Sequence, residues 1–139
     1  MPSVTVILPT WNRAEWLETA IESVLTQTFQ DYELIVVDDA STDSTAEIFE
    51  RYSGKIRCII LTKNRGVSAA RNAAVLKSDS EWIAFLDSDD YWHPEKLQKQ
   101  IEQTKIRQGF PIHFTDEIWI RNGIRVNPKK KHQKRGGGI

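Results

Sequence analysis

Leu34-Ile35-Val36-Val37-Asp38-Asp39-Ala40-Ser41-Thr42-Asp43 is an apolar run of strand length that stops at two carboxylates and passes into helix-capping residues. A continuous apolar run, as opposed to an alternating one, is what a strand covered on both faces requires. The same order recurs along the chain. Val4–Leu8 reads as a β-branched strand and ends in Pro9-Thr10-Trp11-Asn12-Arg13. Ile56–Leu61 leads to Lys63-Asn64-Arg65-Gly66, and Glu81–Leu86 ends in Asp87-Ser88-Asp89-Asp90.

Helix patterns fill the gaps. Asn12 is placed to cap a helix from Arg13 to about Gln27, with an apolar face of Trp16, Leu17, Ala20, Ile21, Val24 and Leu25. A second helix is expected from about Asp43 to Tyr52. Ser44 and Glu47 stand at capping-box spacing there, with Ser41 and Thr42 as alternative caps. Val67–Lys77 reads as an alanine-rich third helix. Pro94 suits the first turn of a fourth, which runs to about Gln108 and is stopped by Gly109 and Pro111. Alternating strands and helices predict an α/β, Rossmann-like parallel sheet with helices on both faces. After Pro111, Ile112–Arg121 and Ile124–Asn127 flank Asn122-Gly123, a signal for an antiparallel hairpin. The expected organisation is a core over 1–110, a hairpin over 111–128 and a mobile, basic, Gly-rich tail over 129–139.

The chain has 139 residues, of which 40% are hydrophobic, so it suits one globular domain and not a disordered segment. No apolar stretch reaches bilayer-spanning length, and no signal-peptide pattern opens the chain. The single cysteine, Cys58, rules out an intrachain disulfide and is expected to be a reduced core thiol in a cytoplasmic protein. Net charge is zero but unevenly spread. Residues 1–117 hold 12 Lys/Arg and all 19 Asp/Glu, whereas 118–139 hold 7 Lys/Arg and no acid. The basic end is either a solvated tail or a contact for phosphates, nucleic acid or anionic lipid, the last allowing peripheral association at the inner face of a membrane. The acidic body argues against a nucleic-acid partner.

In open α/β sheets, ligands bind at the carboxyl ends of the strands. All four polar sets fall there, and each has a chemical and a structural reading. Asp38 and Asp39 can accept hydrogen bonds from a ribose or a base, or can cap the next helix. Arg71 can grip a diphosphate with its planar donor fork, or can pair with a nearby aspartate. Trp11 can stack on a base or sit at the rim. Asn64-x-Gly66 suggests a special turn in which Gly66 allows close backbone approach. Three carboxylates within Asp87–Asp90, at the end of a buried strand, call for a positive partner. A hard divalent cation carrying phosphates fits, since such ions take oxygen ligands. Asp87 and Asp89, two apart, can point to one side. Asp90 can join this set or cap the following helix.

Other chemistries are excluded by absence. No G-x-G-x-x-G follows the first strand, and no G-x-x-x-x-G-K-[ST] or G-x-S-x-G exists. His93, His113 and His132 lack zinc-ligand spacing. A phospho-acceptor receiver domain stays as the remote alternative: those also carry an acidic pair after one strand and an Asp after another, but here the pair follows the second strand and no lysine ends a later one.

Taken together, Val6-Ile7-Leu8-Pro9-Thr10-Trp11-Asn12-Arg13, Val37-Asp38-Asp39-Ala40-Ser41-Thr42-Asp43, Asn64-Arg65-Gly66-Val67-Ser68-Ala69-Ala70-Arg71-Asn72 and Asp87-Ser88-Asp89-Asp90 resemble the family 2 glycosyltransferases, inverting enzymes of GT-A fold. The resemblance covers residues 3 to about 100. It implies a nucleotide-diphospho-sugar donor, with uridine the commonest base, and a saccharide, lipid-linked or other hydroxyl acceptor. Thr10 and Asp39 then resemble nucleoside contacts, Pro9 shapes the loop between them, and Arg71 resembles a base or diphosphate contact. Asp87-Ser88-Asp89 is similar to the family's D-x-D motif. Asp89 would bind Mn²⁺ or Mg²⁺ bridging the diphosphate, with Asp87 near the ribose or sugar. The family's catalytic base lies in a later acidic motif. Asp116 and Glu117 are the acidic residues here that can be weighed for it, against a surface or acceptor-side role. The chain therefore resembles the donor half of a glycosyltransferase, either transferring sugar or only binding the nucleotide-sugar.

Overall fold

The computed structural model describes residues 2–106, together with the backbone of 119–121 and 124–126. The chain divides into two compact units, Met1–Pro94 and Glu95–Ile139. The first holds β1 (Val4–Thr10), α1 (Ala14–Leu25), β2 (Tyr32–Asp38), α2 (Thr45–Arg51), β3 (Arg57–Ile60), α3 (Val67–Val75) and β4 (Trp82–Phe85). Its strands form one sheet in the order β3-β2-β1-β4, and every pairing is parallel.

Apolar continuity in β1 and β2 reflects burial on both faces. All of β1 is buried, as are the last five residues of β2. Because side chains alternate along a strand, Ile7, Ile35 and Val37 share one face. There they pack with Ala70 and Ala74 of α3, with Ile59 and Leu61 at the margin. The two alanines let α3 lie close to the sheet. Val4, Val6, Leu8, Leu34 and Val36 point the other way. Right-handed crossovers put α1 and α2 on that second face. α1 buries Leu17, Ala20, Ile21 and Val24, a stripe at helical spacing. Leu17 is completely buried, so its truncation to alanine would cost about 2–5 kcal/mol. α1 and α2 are also tied directly, Tyr52 Oη donating to Glu22 Oε1 at 2.7 Å and Arg51 pairing with Glu18 at 2.6 Å.

Several local expectations are corrected. Asn12 does not cap α1. It sits at φ 51, and its Oδ1 accepts the Thr42 N–H at 2.8 Å. Nor does the Ser44 side chain cap α2. Asp43 serves both helices. One of its oxygens accepts the Ala14 N–H at 3.0 Å, and the other accepts the Thr45 N–H at 3.1 Å and hydroxyl at 2.5 Å. A carboxylate anchored in one loop can satisfy two helix starts, which single-helix capping patterns do not anticipate. Trp16 is 49% exposed, because it lies at the margin of the apolar stripe. Cys58 is exposed and not a core thiol, because β3 is an edge strand.

In the second unit, α4 spans Lys96–Ile106, so Pro94 precedes it by two residues and does not form its first turn. β5 (Trp119–Arg121) pairs antiparallel with β6 (Ile124–Val126). The turn residues Asn122 and Gly123, the candidates Asp116 and Glu117, and the basic tail lie outside the described residues. Among the described residues, no helix is long and apolar enough to cross a membrane.

Candidate functional site

β1 is flanked by β2 on one side and β4 on the other, so the strand order reverses there. The crevice beyond the carboxyl ends of β1 and β4 is the switch point at which such sheets take ligands. Strand register opens it. β1 pairs with β2 as far as Thr10, but with β4 only as far as Ile7. The Leu86 N–H still donates to Ile7 O at 3.0 Å, and the chain then departs through Asp87–Asp90.

Three junctions are stitched together at this end of the sheet. The Asp39 N–H donates to Thr10 O at 2.9 Å. The Asn12 N–H donates to Ser41 Oγ at 2.9 Å, in return for the bond that Asn12 accepts from Thr42. Asp38 Oδ1 accepts the Ser41 N–H at 2.9 Å, closing the turn after β2. Asp39, 3% exposed, gives one oxygen to the Arg65 N–H and the other to the Gly66 N–H, each at 2.9 Å. Asn64 Nδ2 reaches Asp39 O at 3.4 Å. The two aspartates that the sequence suggested for a ligand thus order the loops around the crevice. Each carboxylate oxygen has more than one lone pair, so these bonds leave acceptor capacity. Gly66 sits at φ +94, a conformation natural to glycine, and carries the start of α3. Pro9 is buried in β1, whereas Trp11 is 52% exposed and Arg13 is exposed at the rim.

Arg71 and Asp87 are drawn together. Arg71 Nη2 stands 2.8 Å from Asp87 Oδ1, and its guanidinium carbon lies 5.4 Å from the centre of the Phe85 ring. The pairing with an aspartate is thus formed, and donor capacity for a phosphate remains, since Arg71 Nε is buried with no hydrogen-bond partner. Thr10 Oγ1 is likewise buried and unpartnered. Leaving such a group unsatisfied costs about 1–3 kcal/mol, which is tolerated where something else completes the bond. Ser88 is buried, whereas Asp87, Asp89 and Asp90 are exposed. Asp90 Oδ1 accepts the Tyr91 N–H at 2.9 Å.

A cation here would draw on few protein ligands. Among the described residues, no three His, Cys, Asp or Glu side chains gather as a ready-made metal site. Asp87 and Asp89 offer hard oxygen donors two residues apart at the crevice mouth. That set fits a Mg²⁺- or Mn²⁺-like ion that is completed by the phosphates of a substrate.

A groove of about 620 Å³ lies elsewhere, lined by Glu22, Tyr32, Lys55 and Arg57 among others at the amino ends of β2 and β3. None of the strand-end polar sets reaches it. The converging polar groups and the unpartnered Thr10 Oγ1 and Arg71 Nε favour the crevice over the groove, and chemistry is the better guide.

Sequence reasoning passed over Asp43 and Gln27. Gln27 is 2% exposed at the end of α1, where it extends the Ala20–Val24 stripe by one more helical step. A polar residue in register with an apolar stripe was the available signal.

The family model described as "Glycosyl transferase family 2" matches residues 5–130. The chain is 33% identical over 132 residues to the Escherichia coli UDP-Glc:alpha-D-GlcNAc-diphosphoundecaprenol beta-1,3-glucosyltransferase WfaP, covering 92% of this chain and 53% of that protein. The crystal structure of S. aureus TarS 1–349 in complex with UDP superposes with a TM-score of 0.70 at 33% identity, covering 75% of this chain and 32% of that one. A mannosyltransferase, PcManGT from Pyrobaculum calidifontis, in complex with GDP-Man and Mn²⁺, superposes at 0.67 with 29% identity, over 74% of this chain and 32% of that one. The chain thus spans about half the length of WfaP and a third of the two structural neighbours.

Proposed function

The chain belongs to glycosyl transferase family 2, and from that premise we propose that it holds a nucleotide-diphospho-sugar, with uridine as its base, for transfer of the sugar to a hydroxyl acceptor with inversion. The observation that carries this reading is the convergence of four polar strand ends on one switch-point crevice, with Thr10 Oγ1 and Arg71 Nε buried and unpartnered there.

Each residue has a role in that reading. Thr10 and Asp39 contact the nucleoside, and Pro9 holds the turn between them. Trp11 and Arg13 form the rim against the base. Asp38, Asn64 and Gly66 keep the loops in place, and Arg71 meets the base or the diphosphate. Asp87 and Ser88 lie near the ribose or sugar, and Asp89 holds Mn²⁺ or Mg²⁺. A bound divalent ion stabilises the charge that develops on a departing diphosphate. The acceptor hydroxyl must lose its proton to a base, and Asp116 and Glu117 are the residues of this chain to test for that role. WfaP is named for a lipid-linked acceptor. A saccharide or lipid-linked acceptor in cell-envelope polysaccharide synthesis, met at the inner face of a membrane, therefore suits this chain. Its basic residues at 129–135 provide the charge for peripheral attachment.

Calorimetry with UDP, with and without Mn²⁺, tests the reading. UDP is expected to bind more tightly with the ion. Binding that ignores the ion, or no binding of any nucleoside diphosphate, would overturn it. A sugar-transfer assay on the same chain then separates transfer from donor binding alone.

A further inference from the structure

Gln27 is an amide buried where a leucine would be expected, at 2% exposure. Burying an amide is unfavourable unless its donors are paired. Its Nε2 donates to Ser23 O at 3.0 Å, in the last turn of α1, and to His93 O at 2.7 Å, across the fold. One residue further on, the Thr28 N–H donates to Pro94 O at 2.9 Å. These bonds fasten the end of α1 to the end of the segment 87–94. The other end of that segment is pinned by the Leu86 N–H to Ile7 O, and a turn within it is closed by the Asp90 N–H to Asp87 O, both at 3.0 Å. Trp92 is buried between the two anchors. Asp87 and Asp89 therefore lie on a short span that is tied to β1 at one end and to α1 at the other.

We propose that Gln27 is a positioning residue, a latch that sets the placement of the Asp87 and Asp89 carboxylates for a cation–diphosphate ligand. The inference rests on the reading of the crevice given above. Ligating groups need support from neighbours that fix their orientation, and removing such support typically lowers metal affinity by about 10–100-fold. Gln27 follows the C-terminal end of α1, whereas the crevice lies at the carboxyl ends of the strands, where α1 begins, so its effect runs through the span and not through direct contact.

The test combines amide exchange with calorimetry on the full chain. In Gln27→Met, which keeps the volume and removes the amide, exchange at 87–92 should accelerate in the ligand-free protein, while β1 and β2 stay protected. The tightening of UDP binding by Mn²⁺ should fall about tenfold, with metal-free UDP affinity held within about twofold. Unchanged exchange at 87–92 in the folded variant overturns the latch, and so does an unchanged Mn²⁺ effect. Equal loss of metal-free and metal-assisted binding also overturns it, since that marks a general structural role. Should Gln27→Met fail to fold, the unmodified protein decides: Mn²⁺ with UDP must slow exchange of the Thr28 amide together with 87–92, and independent behaviour of Thr28 overturns the proposal. If the unmodified chain binds UDP with no Mn²⁺ effect while Gln27→Met loosens 87–92, the functional reading fails and the mechanical link alone survives.

Discussion

Arg71 Nη2 stands 2.8 Å from Asp87 Oδ1, joining α3, one turn in, to the segment that leaves β4. Both side chains are partly open to solvent, at 34% and 57%, so the pair itself adds no more than about 1 kcal/mol to stability. Its importance lies in the donors it orients. Arg71→Met should leave the melting temperature nearly unchanged and weaken UDP binding about tenfold, with little effect on uridine. Calorimetry with the two ligands makes the comparison, and an equal loss for both would place Arg71 at the base and not at the diphosphate.

Asp89 is exposed, and Asp90 is occupied with the Tyr91 amide. Asp89→Ala should therefore abolish most of the Mn²⁺ enhancement of UDP binding, whereas Asp90→Ala should retain it. A titration of UDP at fixed Mn²⁺ distinguishes the two variants, and the reverse ranking would move the metal ligand to Asp90.

Asp43 starts two helices at once. Asp43→Ala should destabilise the protein by about 1–2 kcal/mol in urea unfolding, the scale of lost caps. Burial pushes its pKa up, but the Thr45 hydroxyl and the amides of Ala14 and Thr45 outweigh this and leave it below the ordinary 3.8. The folded protein thus binds this proton less readily than the unfolded chain. The contribution of Asp43 is complete above 3.8 and is lost as pH falls through its lowered value. Asp43→Asn should flatten that part of the acid limb.

Tyr52 shows the opposite behaviour. Burial first, then the hydrogen bond to Glu22, pushes its phenol from 10.0 up to about 12. Its share of stability is complete below pH 10.0 and declines as pH rises toward about 12. Tyr52→Phe should cost about 1 kcal/mol at neutral pH and lose less than the unmodified chain in that alkaline window.

Gly66 has open space around the position of a Cβ, yet its φ is +94. Gly66→Ala should therefore destabilise by about 1 kcal/mol through backbone conformation alone. A much larger loss would mean that the amides of Arg65 and Gly66 also release Asp39.

The fold was legible because it is written in periods. Val4–Leu8 and Leu34–Val37 are runs of one kind, Leu17-Ala20-Ile21-Val24 of another, and their alternation admits few architectures. Strand ends could be gathered into one candidate site because a parallel sheet collects them on one edge. What escaped reading was most of the bonding between segments distant in sequence. Asn12 and Ser44 look like caps when each helix is considered alone, but Asp43 reaches both starts because β1 and β2 are neighbours. The hold of Asp39 on Arg65 and Gly66 has the same origin. The pairing of Arg71 with Asp87 was one of two options, and only three-dimensional proximity brings them together. Cys58 and Trp16 were misplaced because hydrophobicity alone does not say which strand lies at the edge or where a stripe ends.

Pro9 shows what an absent hydrogen can do. Along β1 the peptide groups face alternate neighbours. Ile7 O turns to Leu86 just beyond β4, and Thr10 O turns to Asp39 beyond β2. Pro9 is in phase with Ile7, so its missing N–H is on the side that β4 abandons. Any segment that tried to zip up alongside β1 there would meet no donor at that step. The proline thus discourages strand addition at the mouth of the sheet, and it protects the opening against closure by the chain's own backbone or by that of a neighbouring molecule.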